Sequence, residues 1–152
     1  MALVAWRVCK VAYAPLDGTG ALLRGGRWHS AGRPVVYAAD SDAGAILEIL
    51  AHVLRPRTLP GAHHAARLEI PDELVAVIDS AALPSGWDAR GSPEARQLGD
   101  EWLTAGRSAV LVVPSIPARP LGRTVCIDPA HPDAVRITVG DPFPVPWDDR
   151  LF

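Results

Sequence analysis

The sequence predicts a single α+β domain of short strands and a few helices, and three observations carry that expectation. Seven short runs of β-branched, aromatic and aliphatic residues are punctuated by proline or glycine. Two stretches instead repeat their apolar residues at three- and four-residue steps behind a capping side chain. The 15 prolines are dispersed between segments, so they mark element boundaries rather than a low-complexity linker. At 152 residues, with no internal repeat, residues 1–152 are read as one domain with one core.

"LVAWRVCKVAY" (3–13) reads as the first strand and "RPVVYAAD" (33–40) as the second, with Pro34 tolerable only at its start. Between them lies a glycine loop. From Ser41 or Asp42, either of which can cap a helix, Ala43, Ile46, Leu47, Leu50, Val53 and Leu54 form an apolar stripe ending near Arg55-Pro56. "ARLEIP" (66–71) and "LVAVID" (74–79) are strands, and "LPSGWDARG" is loop. The second helix is bracketed by Ser92 as N-cap, Pro93 at the first position and Gly106 just past the end. "SAVLVVPS" is short and apolar enough for a central strand, ending at Ser115. "TVCIDP" and "AVRITVG" complete the strands, and "DPFPVPWDDRLF" is expected to lie extended over the surface or a partner.

Bulk chemistry removes several function classes. No apolar run approaches the roughly 18 residues of a membrane span, and Met1 leads into "ALVAWRV" without a basic n-region or cleavage site. A cytoplasmic protein is expected. With 15 basic and 17 acidic residues spread along the chain, nothing builds the basic stripe that phosphate-backbone binding needs. Cys9 and Cys126 lie in apolar runs and read as reduced core thiols. His63-His64 lies in an expected loop without a carboxylate pattern, so no metal is expected.

The residues that suggest chemistry cluster in the first third. Gly25 and Gly26 allow close backbone approach to a ligand, and Arg27 beside them offers a planar fork for phosphate. Wound at about 100° per residue, the first helix puts Glu48 roughly 140° from Ala43, beside His52 and flanked by Gly44, Ala45 and Ala51. That face holds small residues and one carboxylate: either another element packs on the alanines, or Glu48 sits at the floor of a cleft. Tyr37 lies on the strand before this helix. A cation for a diphosphate, aromatics (Tyr37, Trp28) for a flat heterocycle and a carboxylate to steady a sugar cation suit a nucleotide sugar. Trp28 reads equally as pocket wall or core. Arg7 and His52 stand as candidates at the cleft edge.

In order and at these intervals, "GGRWHSAG", "VVYAA", "ILEILAH", "VVPS" and "DPAHPD" resemble the RES domain, the toxin half of bacterial toxin–antitoxin pairs. The likeness runs from "WRV" to "WDDRLF". It implies a fold like the ADP-ribosyltransferases of the diphtheria-toxin type and an activity that consumes NAD+, by hydrolysis or phosphorolysis or by transfer of ADP-ribose to a protein. Carried over, the family's arginine falls on Arg27, its tyrosine on Tyr37, its glutamate on Glu48 and its serine on Ser115. The expected NAD-binding set is Gly26, Arg27, Trp28, Tyr37, His52 and Ser115. The implied partner is an Xre-type antitoxin that covers the site, with a homodimer of the toxin in the complex. Three features depart from the family's pattern: His29 where asparagine is frequent, "TVCIDP" in place of an asparagine-containing segment, and short loops.

Two other readings use the same residues. Ser115, His131 and Asp128 or Asp133 would form a hydrolase triad, although no G-x-S-x-G elbow surrounds the serine. A non-enzymatic module that binds a nucleotide or a partner would use the tail "PFPVPWDD".

Overall fold

The computed structural model describes residues 1–52 and 57–152. Eight strands form one sheet: β1 (Ala2–Lys10), β2 (Val36–Ala39), β3 (His63–Pro71), β4 (Val75–Val77), β5 (Val110–Pro114), β6 (Arg123–Ile127), β7 (Thr138–Val139) and β8 (Phe143–Pro144). The order is β4-β5-β6-β2-β1-β3-β7, with β8 also on β3. β4 and β5 run parallel and the other pairs are antiparallel. Among the described residues three α-helices complete the fold, with short 3-10 turns between elements: α1 (Thr19–Arg24), α2 (Asp42–Ala51) and α3 (Pro93–Ala105). The α+β expectation is met.

Central β5 explains why "SAVLVVPS" reads as continuously apolar. Val110 and Val112 enter a core with Leu68, Ile70, Val125 and Ile127, while Leu111 and Val113 face Trp28, Leu103 and Cys126 beneath α3. Both faces are buried, so period-two alternation disappears. α3 begins as expected: the Ser92 hydroxyl accepts the Ala95 N–H at 3.1 Å, and Gly106 closes the helix at φ 61°. Mid-helix Gly99 is required by contact, because a Cβ there would lie 1.4 Å from the Trp28 carbonyl oxygen. This crossing seats the loop that carries Arg27.

Several expectations need correction. The glycine loop contains α1, a six-residue helix with no side-chain cap and no buried residue, so it lacks the periodic signal of longer helices. β1 stops at Lys10, where the chain turns and the Tyr13 N–H bonds the Lys10 carbonyl. β3 starts three residues early, so His63 and His64 are strand residues opposite Lys10 and Cys9. A 3-10 turn over Pro132–Arg136 takes up the start of "AVRITVG", and β7 is short. The tail docks on the chain itself: β8 pairs with β3, and the Trp147 indole N–H donates to the Gly61 carbonyl at 2.9 Å.

α2 packs by the face opposite to the expected stripe. Gly44 and Ala45 are its buried residues, whereas Leu47 is 38% exposed. The small residues let the helix lie close over Val8, Ala39 and Ala65, with Ile46 and Ile49 at the margins. The helix end expected near Arg55-Pro56, with Val53 and Leu54, lies outside the described residues.

Candidate active site

The sheet parts between β1 and β2, which pair only at Trp6 and Ala39. Beyond that point Arg7 replaces the ladder: its Nη1 donates to the Tyr37 carbonyl at 2.8 Å and its Nε to the Pro15 carbonyl at 3.2 Å. Burial draws the Arg7 pKa down, and the Cys9 and Asp17 charges oppose that shift. A cleft of about 890 Å3 opens here, walled by Arg7, Tyr37, Glu48, Thr124 and the Gly25–Arg27 loop among others. A cavity of this size accommodates a dinucleotide-sized ligand.

α2 brings Glu48 to the ends of β5 and β6. Its Oε1 accepts from the Ser115 hydroxyl at 3.0 Å and the Thr124 hydroxyl at 3.2 Å. Both donors are buried, at 2% and 6% exposure, and Ser115 is itself fixed by the Ala118 N–H, which donates to its oxygen at 3.2 Å. Oε2 has no hydrogen bond among the described residues. One carboxylate oxygen is thus clamped and the other is left for a ligand. Ser115 therefore positions the carboxylate. Thr124 does the same and escaped sequence reasoning, because its role depends on the β5–β6 register, which sets it opposite Val113.

Arg27 faces Glu48 from the loop. Its Nη1 donates to the Ala89 carbonyl at 2.9 Å and the Trp87 carbonyl at 3.4 Å, both in "LPSGWDARG". Partial burial lowers its pKa; Glu48 is the strongest nearby charge raising it, Arg119 lowers it and Asp88 raises it. Arg27 and Glu48 both line the one cleft. Gly26 borders the cleft and also makes room for the protein itself: a Cβ there would meet the Tyr37 hydroxyl at 2.6 Å.

Tyr37 is anchored by the same loop. Its hydroxyl accepts the Trp28 N–H at 3.3 Å and lies 2.6 Å from His29 Nδ1. The Nε2 atom of His29 faces the Ala21 carbonyl at 3.1 Å, which can only accept, so Nε2 carries the proton and Tyr37 donates to Nδ1. Burial lowers the His29 pKa and raises that of Tyr37. The Tyr37 ring lines the cleft while its hydroxyl is committed to structure.

Other candidates separate. Trp28 borders the cleft but is 3% exposed, and its ring stacks on Trp87 with centroids 5.9 Å apart, so it is a core residue rather than a ligand platform. His52 caps α2, its Nδ1 2.7 Å from the Glu48 carbonyl, at the cleft rim. The serine triad is not assembled: Ser115 bonds Glu48, whereas His131 pairs with the Gly106 carbonyl and the Asp133 N–H. Cys9 and Cys126 are free and buried, and burial raises both thiol pKa values. Among the described residues no three His, Cys, Asp or Glu side chains gather as metal ligands, and no helix is long and apolar enough to cross a membrane.

Comparison with known proteins identifies the family and the fold. The family model described as the RES domain matches residues 4–148. A protein named Toxin Res, from Pseudomonas putida, is 42% identical over 99% of this chain and all of its own length. A Prs ADP-ribosylating toxin from a Sphingobium species is 39% identical, covering 85% of this chain and 84% of its own. The solved MbcT–MbcA toxin–antitoxin complex of M. tuberculosis contains a chain of similar fold, with a TM-score of 0.76 at 18% identity over 95% of this chain and 85% of that one. The fold expected from the resemblance is borne out. With its sequence matched almost end to end and its cleft lined by Arg27, Tyr37 and Glu48, the last held by Ser115, the chain belongs to the RES domain family.

Proposed function

We propose that this chain is the toxin of a toxin–antitoxin pair and that it breaks the nicotinamide–ribose bond of NAD+, arresting growth by depleting it. The observation that supports the reading is the half-clamped carboxylate: Oε1 of Glu48 is fixed by two buried hydroxyls and, among the described residues, Oε2 has no hydrogen-bond partner, in a cleft shared with Arg27.

Breaking this bond develops positive charge on the ribose while nicotinamide leaves as a neutral molecule. No acid is needed to protonate the leaving group. The transition state resembles the oxocarbenium ion of glycoside hydrolysis, and a fixed negative charge beside the ribose stabilises it. Glu48 supplies that charge and accepts from ribose hydroxyls. Arg27 grips the diphosphate, for which its planar fork suits it better than a lysine ammonium. Tyr37 offers its ring to the nicotinamide, and Gly26 and His52 border the bound dinucleotide.

Water or phosphate completes the reaction in this reading. A second reading, transfer of ADP-ribose to a protein, is favoured by the relative named as a Prs ADP-ribosylating toxin. The antitoxin is an Xre-type protein covering the cleft, the toxin is a homodimer within that complex, and the setting is the cytoplasm. An antitoxin partner is supported by the MbcT–MbcA complex, where a similar fold is held by one.

The test is to incubate purified protein with NAD+ and follow free nicotinamide, wild type beside Glu48→Gln. Release by the wild type and its near-abolition in the variant is expected. NAD+ surviving a high concentration of antitoxin-free protein overturns the reading. ADP-ribose found on a protein acceptor instead of free selects the second.

A further inference from the structure

A second pocket of about 540 Å3 adjoins the cleft across Gly25, Gly26, Arg27 and His52. Three arginines wall it: Arg24 at the end of α1, Arg27 on the loop and Arg96 on α3. Arg27 is steadied through Nη1 by the Trp87 and Ala89 carbonyls and is already assigned to the diphosphate. Arg24 and Arg96 are different. Among the described residues neither guanidinium makes a hydrogen bond or ion pair. The acid one turn beyond Arg96, Asp100, is already occupied by the Ser30 N–H at 2.8 Å and the Ser30 hydroxyl at 2.6 Å.

The charge count of the ligand matters here. NAD+ carries a single net negative charge, because its nicotinamide cation offsets one of the two diphosphate charges, and Arg27 answers it; two unpaired guanidinium groups remain a short step along the same wall. Guanidinium groups lining one concavity raise a local positive potential that draws anions to it. Planar forks approaching from two elements suit a tetrahedral phosphate, each offering parallel N–H donors. An arginine near the adenosine ribose is the usual means by which a dinucleotide site accommodates a 2′-phosphate.

We propose that Arg24 and Arg96 form a subsite for a ribose 2′-phosphate, so that the protein takes NADP+ at least as readily as NAD+. This inference rests on the dinucleotide reading of the cleft. In it the diphosphate bridges at Arg27, the nicotinamide ribose lies toward Glu48 and the adenosine ribose lies toward the arginine pocket.

The decisive experiment is a binding comparison that needs no turnover. Calorimetric titration of wild-type protein with ADP and with ADP carrying an added 2′-phosphate is expected to show about ten-fold tighter binding of the second at low salt. In the Arg24→Ala/Arg96→Ala double variant, with Arg27 intact, that preference falls to near unity. Arg24 is exposed and Arg96 half-buried, so both substitutions leave the core intact. Equal affinities in the wild type, or a preference surviving in the double variant, overturn the subsite. Nicotinamide release from NADP+ and NAD+ then separates the two ideas. If NAD+ is cleaved but no 2′-phosphate preference exists, only the subsite falls; if neither dinucleotide is cleaved while the preference stands, the reaction falls and the subsite holds.

Discussion

The two walls of the cleft are fixed by different means. On one side, Glu48 is clamped by hydroxyls at the ends of two buried strands, each less than a tenth exposed. On the other, Arg27 rises from a loop and is steadied by carbonyls of a second loop. On the proposed reading, the difference tracks the chemistry that each side would do. A charge that stabilises a developing cation acts strongly only if held in place before the reaction, whereas a guanidinium gripping a diphosphate tolerates some shift in a charge-assisted bond. Rigid strand ends carry the first, and adaptable loops the second.

Removing the carboxylate is the harshest way to break that contrast. Glu48→Gln is expected to lower kcat for nicotinamide release by about 10²–10³, the loss seen when a preorganised electrostatic group is deleted. Its melting temperature stays close to wild type, since Gln still accepts from Ser115 and Thr124. A variant with near-normal turnover would assign the chemistry elsewhere.

Arg27→Ala is expected to act mainly on KM, raising it about 10- to 100-fold as one charge-assisted bidentate contact is lost. Arg27→Lys recovers little of this, because an ammonium lacks the fork. If kcat falls instead while KM is unchanged, the loop side is as catalytically exacting as the strand side, and the contrast fails.

A double-mutant cycle sharpens the account of the clamp. Ser115→Ala and Thr124→Val each leave Oε1 with one donor, so each is expected to lower kcat by only about 3- to 10-fold. The double variant falls by more than the product of the two, because the carboxylate then loses its last anchor. Simple additivity in steady-state kinetics would show that the hydroxyls do not act through a shared carboxylate position.

How much of this was readable in advance follows from where each signal resides. The α3 caps Ser92 and Gly106, the apolar β5 and the pairing of Glu48 with a small-residue face are local patterns, and each survived folding. Glu48, Arg27, Tyr37 and Ser115 were legible as candidates because they stand in recognisable runs. Their division of labour was not. That Ser115 holds Glu48, that Thr124 joins it and that Gly26 makes room for Tyr37 are facts of register and crossing between segments far apart in the chain. α2 shows the same limit, since Leu47 fits an apolar stripe by period while Ala45 is the side chain buried. α1 has too few residues to show a period at all.

The smallest effect concerns how the loop wall is tied down, and it is read by pH. His29 is 1% exposed and neutral in the fold, with its pKa depressed by burial. An unfolded histidine titrates near pH 6.5, so below that value the unfolded chain binds a proton that the folded chain resists. Stability from this residue is therefore present above about pH 6.5 and is lost as pH falls toward the depressed folded value. Protonation of Nδ1 forces the Tyr37 hydroxyl to turn from donor to acceptor, which gives up the present O–H to Nδ1 bond and leaves the buried hydroxyl proton to find another acceptor. That bond contributes about 1 kcal/mol, so the melting temperature should drop by roughly 2–4 °C from this cause between neutral and mildly acid pH. His29→Asn, which has no proton to gain, should flatten that part of the profile while leaving the clamp on Glu48, and hence kcat at neutral pH, nearly unchanged. An equally steep profile in the variant would place the acid sensitivity elsewhere, and a large fall in kcat would mean that the loop wall transmits its geometry to the carboxylate after all.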